Sequence, residues 1–363
     1  MNKKNVLADF FMGANSPNGF YSLYDELRQP KVNARSFLIK GGAGTGKSGI
    51  MKRIAATFSD KDSLIERIHC SSDPNSLDGV ILHTARCSVV DATPPHVIEP
   101  TYPGGFETVI NLCEYFDEEK MATRLPYTVS YQTGNNECHK KCRGFIKCAD
   151  ILLKDNYYFV ESCTDFNKIA ALTTRICQAE FSSSNNPVEH KRLLSAITNE
   201  GVKTYEDTVL ALCDRVYLIK DDYGVSSSYM LAKIHDYALS KGYEIFGCYC
   251  PLTPEYKLEH IIVPELGLGF ITQTRFNEFP NVVPTKVINY TRFTDLEKLK
   301  TKKQYLSFNR KAAVELIDAA IEVLREAKSI HDNLELQYTD AVNFAGVNEK
   351  TQEVLEKISK RYE

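Results

Sequence analysis

Tryptophan is absent from this chain, and by itself that excludes nothing. Other absences carry more. No apolar run approaches the roughly 18 residues that a membrane span needs, so no transmembrane segment is expected. The formal net charge is only -3, which gives no electrostatic reason to expect nucleic acid as a main partner. No basic stripe with interleaved aromatics appears either. The stretch MNKKNVLADFFMGANS starts basic like an export signal, but Asp9, Asn15, Ser16 and Asn18 break its apolar run. The eleven cysteines are scattered through a long chain, which points to reduced thiols in a cytoplasm and away from a disulfide framework. What remains is an ordinary globular composition, 43% hydrophobic and 25% charged, over 363 residues, enough for two domains with cores of their own.

The strongest positive signal lies at 36–58, SFLIKGGAGTGKSGIMKRIAATF. Phe37, Leu38 and Ile39 suit a buried strand, and Ile50, Met51, Ile54, Ala55 and Phe58 recur at helical spacing. Between them Gly41, Gly42, Ala43, Gly44, Thr45, Gly46, Lys47 and Ser48 match G-x-x-x-x-G-K-[ST], the pattern of a phosphate-binding loop. Glycines let the backbone N–H groups approach phosphate oxygens without a Cβ in the way. The following helix points its positive end at the same phosphates. Lys47 is expected to neutralise the β- and γ-phosphates and Ser48 to hold Mg²⁺. The ligand expected from the motif is a nucleoside triphosphate. Asn167-Lys168-Ile169-Ala170 lacks the aspartate of the N-K-x-D pattern that many GTPases carry, which favours ATP.

The chain repeats. Shifted by 180 residues, 35–74 matches at Arg35/Arg215, Leu38/Leu218, Ile39/Ile219, Lys40/Lys220, Gly44/Gly224, Ser48/Ser228, Ile54/Ile234, Lys61/Lys241, Ile65/Ile245, Cys70/Cys250 and Pro74/Pro254. Unrelated segments of this length would give roughly 2 or 3 such matches. Gly19 and Asp25 lie over Gly201 and Asp207, and 79–93 lies over 260–274. Largely helical stretches follow at about 137–180 and about 306–361. The expected fold is therefore α/β: tandem duplicated P-loop NTPase-like units with parallel sheets, each followed by a helical segment, divided at 1–187 and 188–363. In the second copy Gly41, Gly46 and Lys47 are replaced by Asp221, Ser226 and Ser227. Asp221 and Asp222 would repel a triphosphate, so this copy is expected not to bind ATP in the usual way.

A triphosphate site also needs a carboxylate at the end of a neighbouring strand to hold magnesium. Asp91 follows the apolar run Cys87–Val90 and is the leading candidate; the second copy has Thr272 there. Asp73 is a second candidate for magnesium or for orienting a water, with an Asx turn before Pro74 as the structural reading. His69 reads as a packed residue, His96 as a contact for a phosphoacceptor, and Arg86 and Arg275 as charge-stabilising fingers that nothing in the spacing separates. Cys138, His139, Cys142 and Cys148 include a C-x₃-C spacing compatible with zinc, but the second ligand pair of a closed site is missing, and buried helical thiols are the simpler reading.

FFMGANSPNGFYS at 10–22, GGAGTGKS at 41–48, HCSSDPNSLDGV at 69–80 and VVDATPPHVIEP at 89–100 together make the chain resemble a group of bacterial tandem P-loop ATPase-like proteins of the Firmicutes type. The resemblance implies two P-loop units, in many members with both loops intact. It departs at HTAR, 83–86, where the second copy keeps PELG at 264–267, the form associated with that group. The expectation is a Mg-dependent ATPase with Lys47, Asp91 and Asp73 at the chemistry and with ATP and Mg²⁺ as ligands. The alternatives are a kinase of a nucleotide or other small molecule, and an ATP-binding module with little turnover.

Overall fold

The computed structural model describes residues 5–30 and 33–363, so the basic start of the N-terminal stretch lies outside the described residues. The first unit runs β1 (Val6–Phe11), a hairpin β2 (Gly13–Ser16) and β3 (Gly19–Ser22), β4 (Arg35–Lys40), α1 (Lys47–Thr57), β5 (Leu64–His69), β6 (Leu77–Leu82), β7 (Cys87–Asp91) and β8 (Glu107–Asn111). Helices α2 (Glu118–Glu161) and α3 (Phe166–Glu180) follow. The second unit runs β9 (Glu189–Arg192), a hairpin β10 (Ser195–Thr198) and β11 (Gly201–Thr204), α4 (Glu206–Leu212), β12 (Arg215–Lys220), α5 (Val225–Ser240), β13 (Ile245–Tyr249), β14 (Leu258–Val263), β15 (Leu268–Gln273) and β16 (Lys286–Asn289). Helices α6 (Leu296–Lys300), α7 (Lys303–Thr339) and α8 (Phe344–Ser359) close the chain. Among the described residues no helix is long and apolar enough to cross a membrane.

The duplication is carried into the topology. The first sheet has the order β1-β5-β6-β7-β4-β8 and the second, read from its other edge, β9-β13-β14-β15-β12-β16. The same positions of the repeat fill the same places. The expectation of parallel sheets is corrected: both sheets are mixed. β6 runs antiparallel to β5 and β7, and β14 to β13 and β15, while the other neighbours are parallel. Connection length is the reason. Residues 83–86 and 264–267 link these strands, far fewer than the dozen or so that a parallel crossover requires.

Alternate residues of each strand face different layers. Phe37, Ile39, Val80 and Val89 pack outward against Ile50, Met51 and Ile54 of α1, whereas Leu38, Ile81 and Val90 face inward. Tyr217, Ile219, Ile261 and Phe270 pack outward against Met230, Leu231 and Ile234 of α5, whereas Leu218, Ile262 and Ile271 face inward. The two inward faces join one continuous core. The layers are therefore helices, sheet, sheet, helices.

The helical segments exchange between units. Val347, Val354, Leu355 and Ile358 of α8, the last helix, join the outer core of the first sheet. Tyr362 stacks on Phe58 and hydrogen-bonds Asp62 at 2.8 Å. Ile169, Leu172, Ile176 and Cys177 of α3 complete the outer core of the second sheet. The crossings are made by α2 and α7, which pack antiparallel: Arg124 pairs with Asp340 near one end, and Asn156 donates to the Leu306 carbonyl at 3.0 Å near the other. The start of α2 at Glu118 precedes the expected helical stretch. Pro126 and Gly134 disguise its first turns, and the Asp117 cap with the packing against α7 overrides their weak helix propensity.

Phe11 and Leu193 hold equivalent positions in the repeat and exchange backbone hydrogen bonds of 2.8 and 2.9 Å, so the axis relating the units passes between them. On one side Phe10 stacks on Phe246, with centroids 5.3 Å apart. At the equivalent place on the other side, Arg192 donates to Glu66 through Nε at 2.6 Å and through Nη2 at 2.9 Å. Burial opposes the charge on Glu66, but the Arg192 charge and the hydrogen bonds from His83 and Arg192 hold its carboxyl far below the ordinary range. Removing one partner of such a buried pair leaves the other uncompensated. Arg192→Met is expected to cost roughly 3–5 kcal/mol in chemical denaturation at pH 7. Because the Glu66 pKa is depressed by folding, its contribution is present above the unfolded value and is lost as pH falls through the carboxylate range, so the gap between wild type and variant should narrow in acid.

Candidate functional site

The eight loop residues Gly41–Ser48 connect the central strand β4 to α1, at the strand's C-terminal end. Gly44 (φ 68°) and Gly46 (φ 84°) sit in the left-handed region that a side chain disfavours, and Gly46 is the residue from which α1 starts. Thr45 Oγ1 donates to the Gly42 carbonyl at 2.9 Å, fixing the turn. Lys47 begins α1 and folds back, its Nζ donating to Gly42 at 2.7 Å and Gly41 at 3.0 Å. Ser48 Oγ accepts the Leu77 N–H at 2.9 Å, tying the helix start to β6.

Asp91 closes β7 beside the loop strand, its backbone paired with Ile39. Its Oδ2 lies 3.6 Å from Lys47 Nζ, and its Oδ1 accepts from the Thr93 N–H and hydroxyl. The structure thus brings Lys47, Ser48 and Asp91 together. It adds a residue that the sequence reading missed. Gly79 pairs with Val90, so Asp78, one position before it, stands next to Asp91 across the strands. Asp78 is buried, faces His96 Nε2 at 3.3 Å and takes a hydrogen bond from the Cys70 thiol. Burial pushes its carboxyl above the ordinary range, the Asp91 charge adds to the push, and His96 and Lys47 oppose it. The signal was one residue upstream of the aligned 79–93 segment: the second copy keeps a carboxylate, Glu259, at that place.

The other candidates separate. Asp73 forms an Asx turn, accepting from Asn75 N–H at 3.2 Å and Ser76 Oγ at 3.1 Å, with Lys328 of α7 at 3.6 Å. His69 is held between the Pro74 carbonyl and Asp9, each at 2.7 Å. His96 is buried against Tyr24 and Phe20. Arg86 closes the β6–β7 turn at φ 48°, and Arg275 belongs to the second unit. Cys138 and Cys142 are buried on α2 within the core it shares with α7, and burial pushes the Cys142 thiol up to about 12 and His139 down to about 4. All eleven cysteines are free, and no group of three His, Cys, Asp or Glu among the described residues could hold a metal ion.

Helix α7 covers the first loop. A Cβ on Gly44 would lie 3.0 Å from both the Glu335 carbonyl and Thr339 Oγ1, and the Glu335 carboxylate, held mainly by His331, lies near the Gly44 N–H. In the second unit the equivalent loop is filled from within. Asp221 Oδ1 accepts from Tyr223 N–H at 3.2 Å and Gly224 N–H at 3.0 Å, and Oδ2 accepts from Ser227 N–H at 2.9 Å. This carboxylate, almost wholly buried, occupies the amide nest itself, so the substitution of Gly41 by an acid in the second copy does more than repel.

No protein-family model, curated protein or solved structure matches this chain.

Asp78 is costly to the fold as a carboxylate. A pKa raised by folding destabilises the native state as pH rises from the unfolded value toward the folded one, and the penalty is constant above it. Asp78→Asn is therefore expected to raise Tm by a few degrees at pH 7, with the gain vanishing below about pH 4. Calorimetric melts at both pH values test this; no gain at pH 7 would show that His96 and Lys47 offset the burial.

Proposed function

We infer that the first unit binds ATP with Mg²⁺ and hydrolyses it, and that the second unit does not. The observation that carries the reading is the placement of Asp91 3.6 Å from Lys47 at the mouth of a glycine loop that leads into a helix N-terminus. The loop N–H groups and the α1 dipole would receive the β- and γ-phosphates, and Lys47 would exchange its carbonyl contacts for phosphate oxygens. Ser48 Oγ and the Asp91 carboxylate form an all-oxygen donor set of the kind that suits Mg²⁺ and would hold it. When bound, the ion supplies charge neutralisation at the phosphates. Asp78 adds a second carboxylate beside Asp91, which is itself held by Thr93. Water attacks the γ-phosphorus in line, the bond to the β–γ bridging oxygen breaks, and the water's protons leave with inorganic phosphate and solvent.

Two outcomes follow from this reading. Purified protein should release phosphate from MgATP, and Lys47→Ala should reduce turnover by about 100-fold or more, since a charge aimed at the transition state is removed. Unchanged turnover in Lys47→Ala would assign the activity elsewhere.

A second reading, an ATP-binding module with little turnover, is favoured by the Glu335 contact. A phosphate on the Gly44 N–H would meet the Glu335 carboxylate nearby, so α7 would respond to ATP binding. Glu335→Gln should raise ATP affinity by about tenfold in calorimetry, because a like charge is removed from the phosphate site. Equal affinity in the variant would mean that α7 stays in place when ATP binds.

A further inference from the structure

We propose that the second unit holds a ligand site of its own, for a nucleoside monophosphate, in the cavity above its degenerate loop. The cavity is about 290 Å³ and lies where β12, β13 and β15 end, roofed by α2 and α7. That edge of an α/β sheet is where ligands bind, and the volume is near the lower bound of ordinary small-molecule pockets.

Its chemistry differs from that of the first site. The loop amides are taken by Asp221, so no polyphosphate can lie on them. Lysine has moved: Ser227 replaces Lys47, but Lys257, from the start of the antiparallel strand, brings its Nζ against the loop at Gly224, where an added Cβ would be 2.8 Å away. Lys257 is balanced by the charges of Glu259 and Asp221, and Lys154 by Asp150 at 2.7 Å. Two guanidinium groups also line the cavity. Arg310 of α7 approaches Asp222 only at 3.8 Å, and its buried Nε has no acceptor. Arg275 is exposed and also lines the cavity. Thr253 is 7% exposed and lines the same space, its hydroxyl beside the Cys250 thiol.

Buried polar atoms without partners call for an explanation, and a bound group is one. Two forked cations suit one phosphate, gripped by parallel N–H donors. The rest of the lining is largely apolar and includes the rings of Tyr157, Tyr256 and Phe276, which suit contact with a planar base. The choice of a nucleoside for that ring rests on reading the first unit as a nucleotide site; the anion and the ring follow from the cavity alone.

The test uses the full chain carrying Lys47→Ala, which silences the first loop. AMP, GMP, CMP and UMP are titrated by calorimetry, with inorganic phosphate and adenosine as partial probes. At least one monophosphate is expected to bind with a millimolar or lower Kd, more tightly than phosphate or adenosine. Arg310→Gln and the exposed Arg275→Gln should each weaken it by about tenfold. No binding by any of the four, or binding that survives both substitutions, overturns the proposal. ATP binding lost through Lys47→Ala alone concerns the first site and leaves this result readable.

Discussion

The paired backbone hydrogen bonds between Phe11 and Leu193 set the arrangement of everything else. They join equivalent points of a duplicated sequence, so each unit meets its own copy around an axis. The inward faces of the two sheets then have only each other to pack against, and their side chains form one core. Neither sheet has a complete inner layer without the other. Because both copies lie in one chain, the two sides of the axis were free to diverge. The Phe10–Phe246 stack and the Arg192–Glu66 ion pair are the same contact written in two chemistries. The apolar version needs no partner of particular geometry, whereas the ionic version fixes its register, since Glu66 must receive both guanidinium N–H groups and the His83 ring together.

The exchange of helices gives each loop a cover that belongs to the other copy. Glu335, Tyr338 and Thr339 of α7 close on Gly42 and Gly44. Tyr157 and Val160 of α2 pack beside Tyr223 and Val225. These two helices pack along their length, with Ile146 and Ala149 against Ile317 and Ala320. The first and second loops are thus joined by one closely packed helix pair.

The loop, its strand and helix, the repeat and the strand ends bearing Asp91 were legible because each has a local cause: glycine where φ is positive, apolar runs where strands are buried, matched residues where a segment was copied. Other features have causes that no local pattern records. The antiparallel course of β6 depends on a four-residue connection whose meaning appears only once both flanking strands are paired. An amphipathic helix shows that it has a face to bury and not which sheet buries it, so α3 and α8 read as companions of their own units and pack on the others. Asp78 sits in SLDGV with no motif around it. Its role depends on cross-strand register, and only the retained acid Glu259 in the second copy hinted at it.

Both loops have a carboxylate beside their amides, and the difference between them lies in where it comes from. Asp221 is part of the loop it fills. Its side chain reaches the Tyr223, Gly224 and Ser227 amides without any other element moving, so an incoming anion competes with a partner held there by the chain itself. Glu335 arrives from a separate helix, lies near the Gly44 amide, is half-exposed and is held mainly by His331. Fewer hydrogen bonds hold it, and water screens its charge. Asp221 closes the second nest with a side chain of the loop itself, whereas the first loop, with glycine at 41, is bounded by a separate helix.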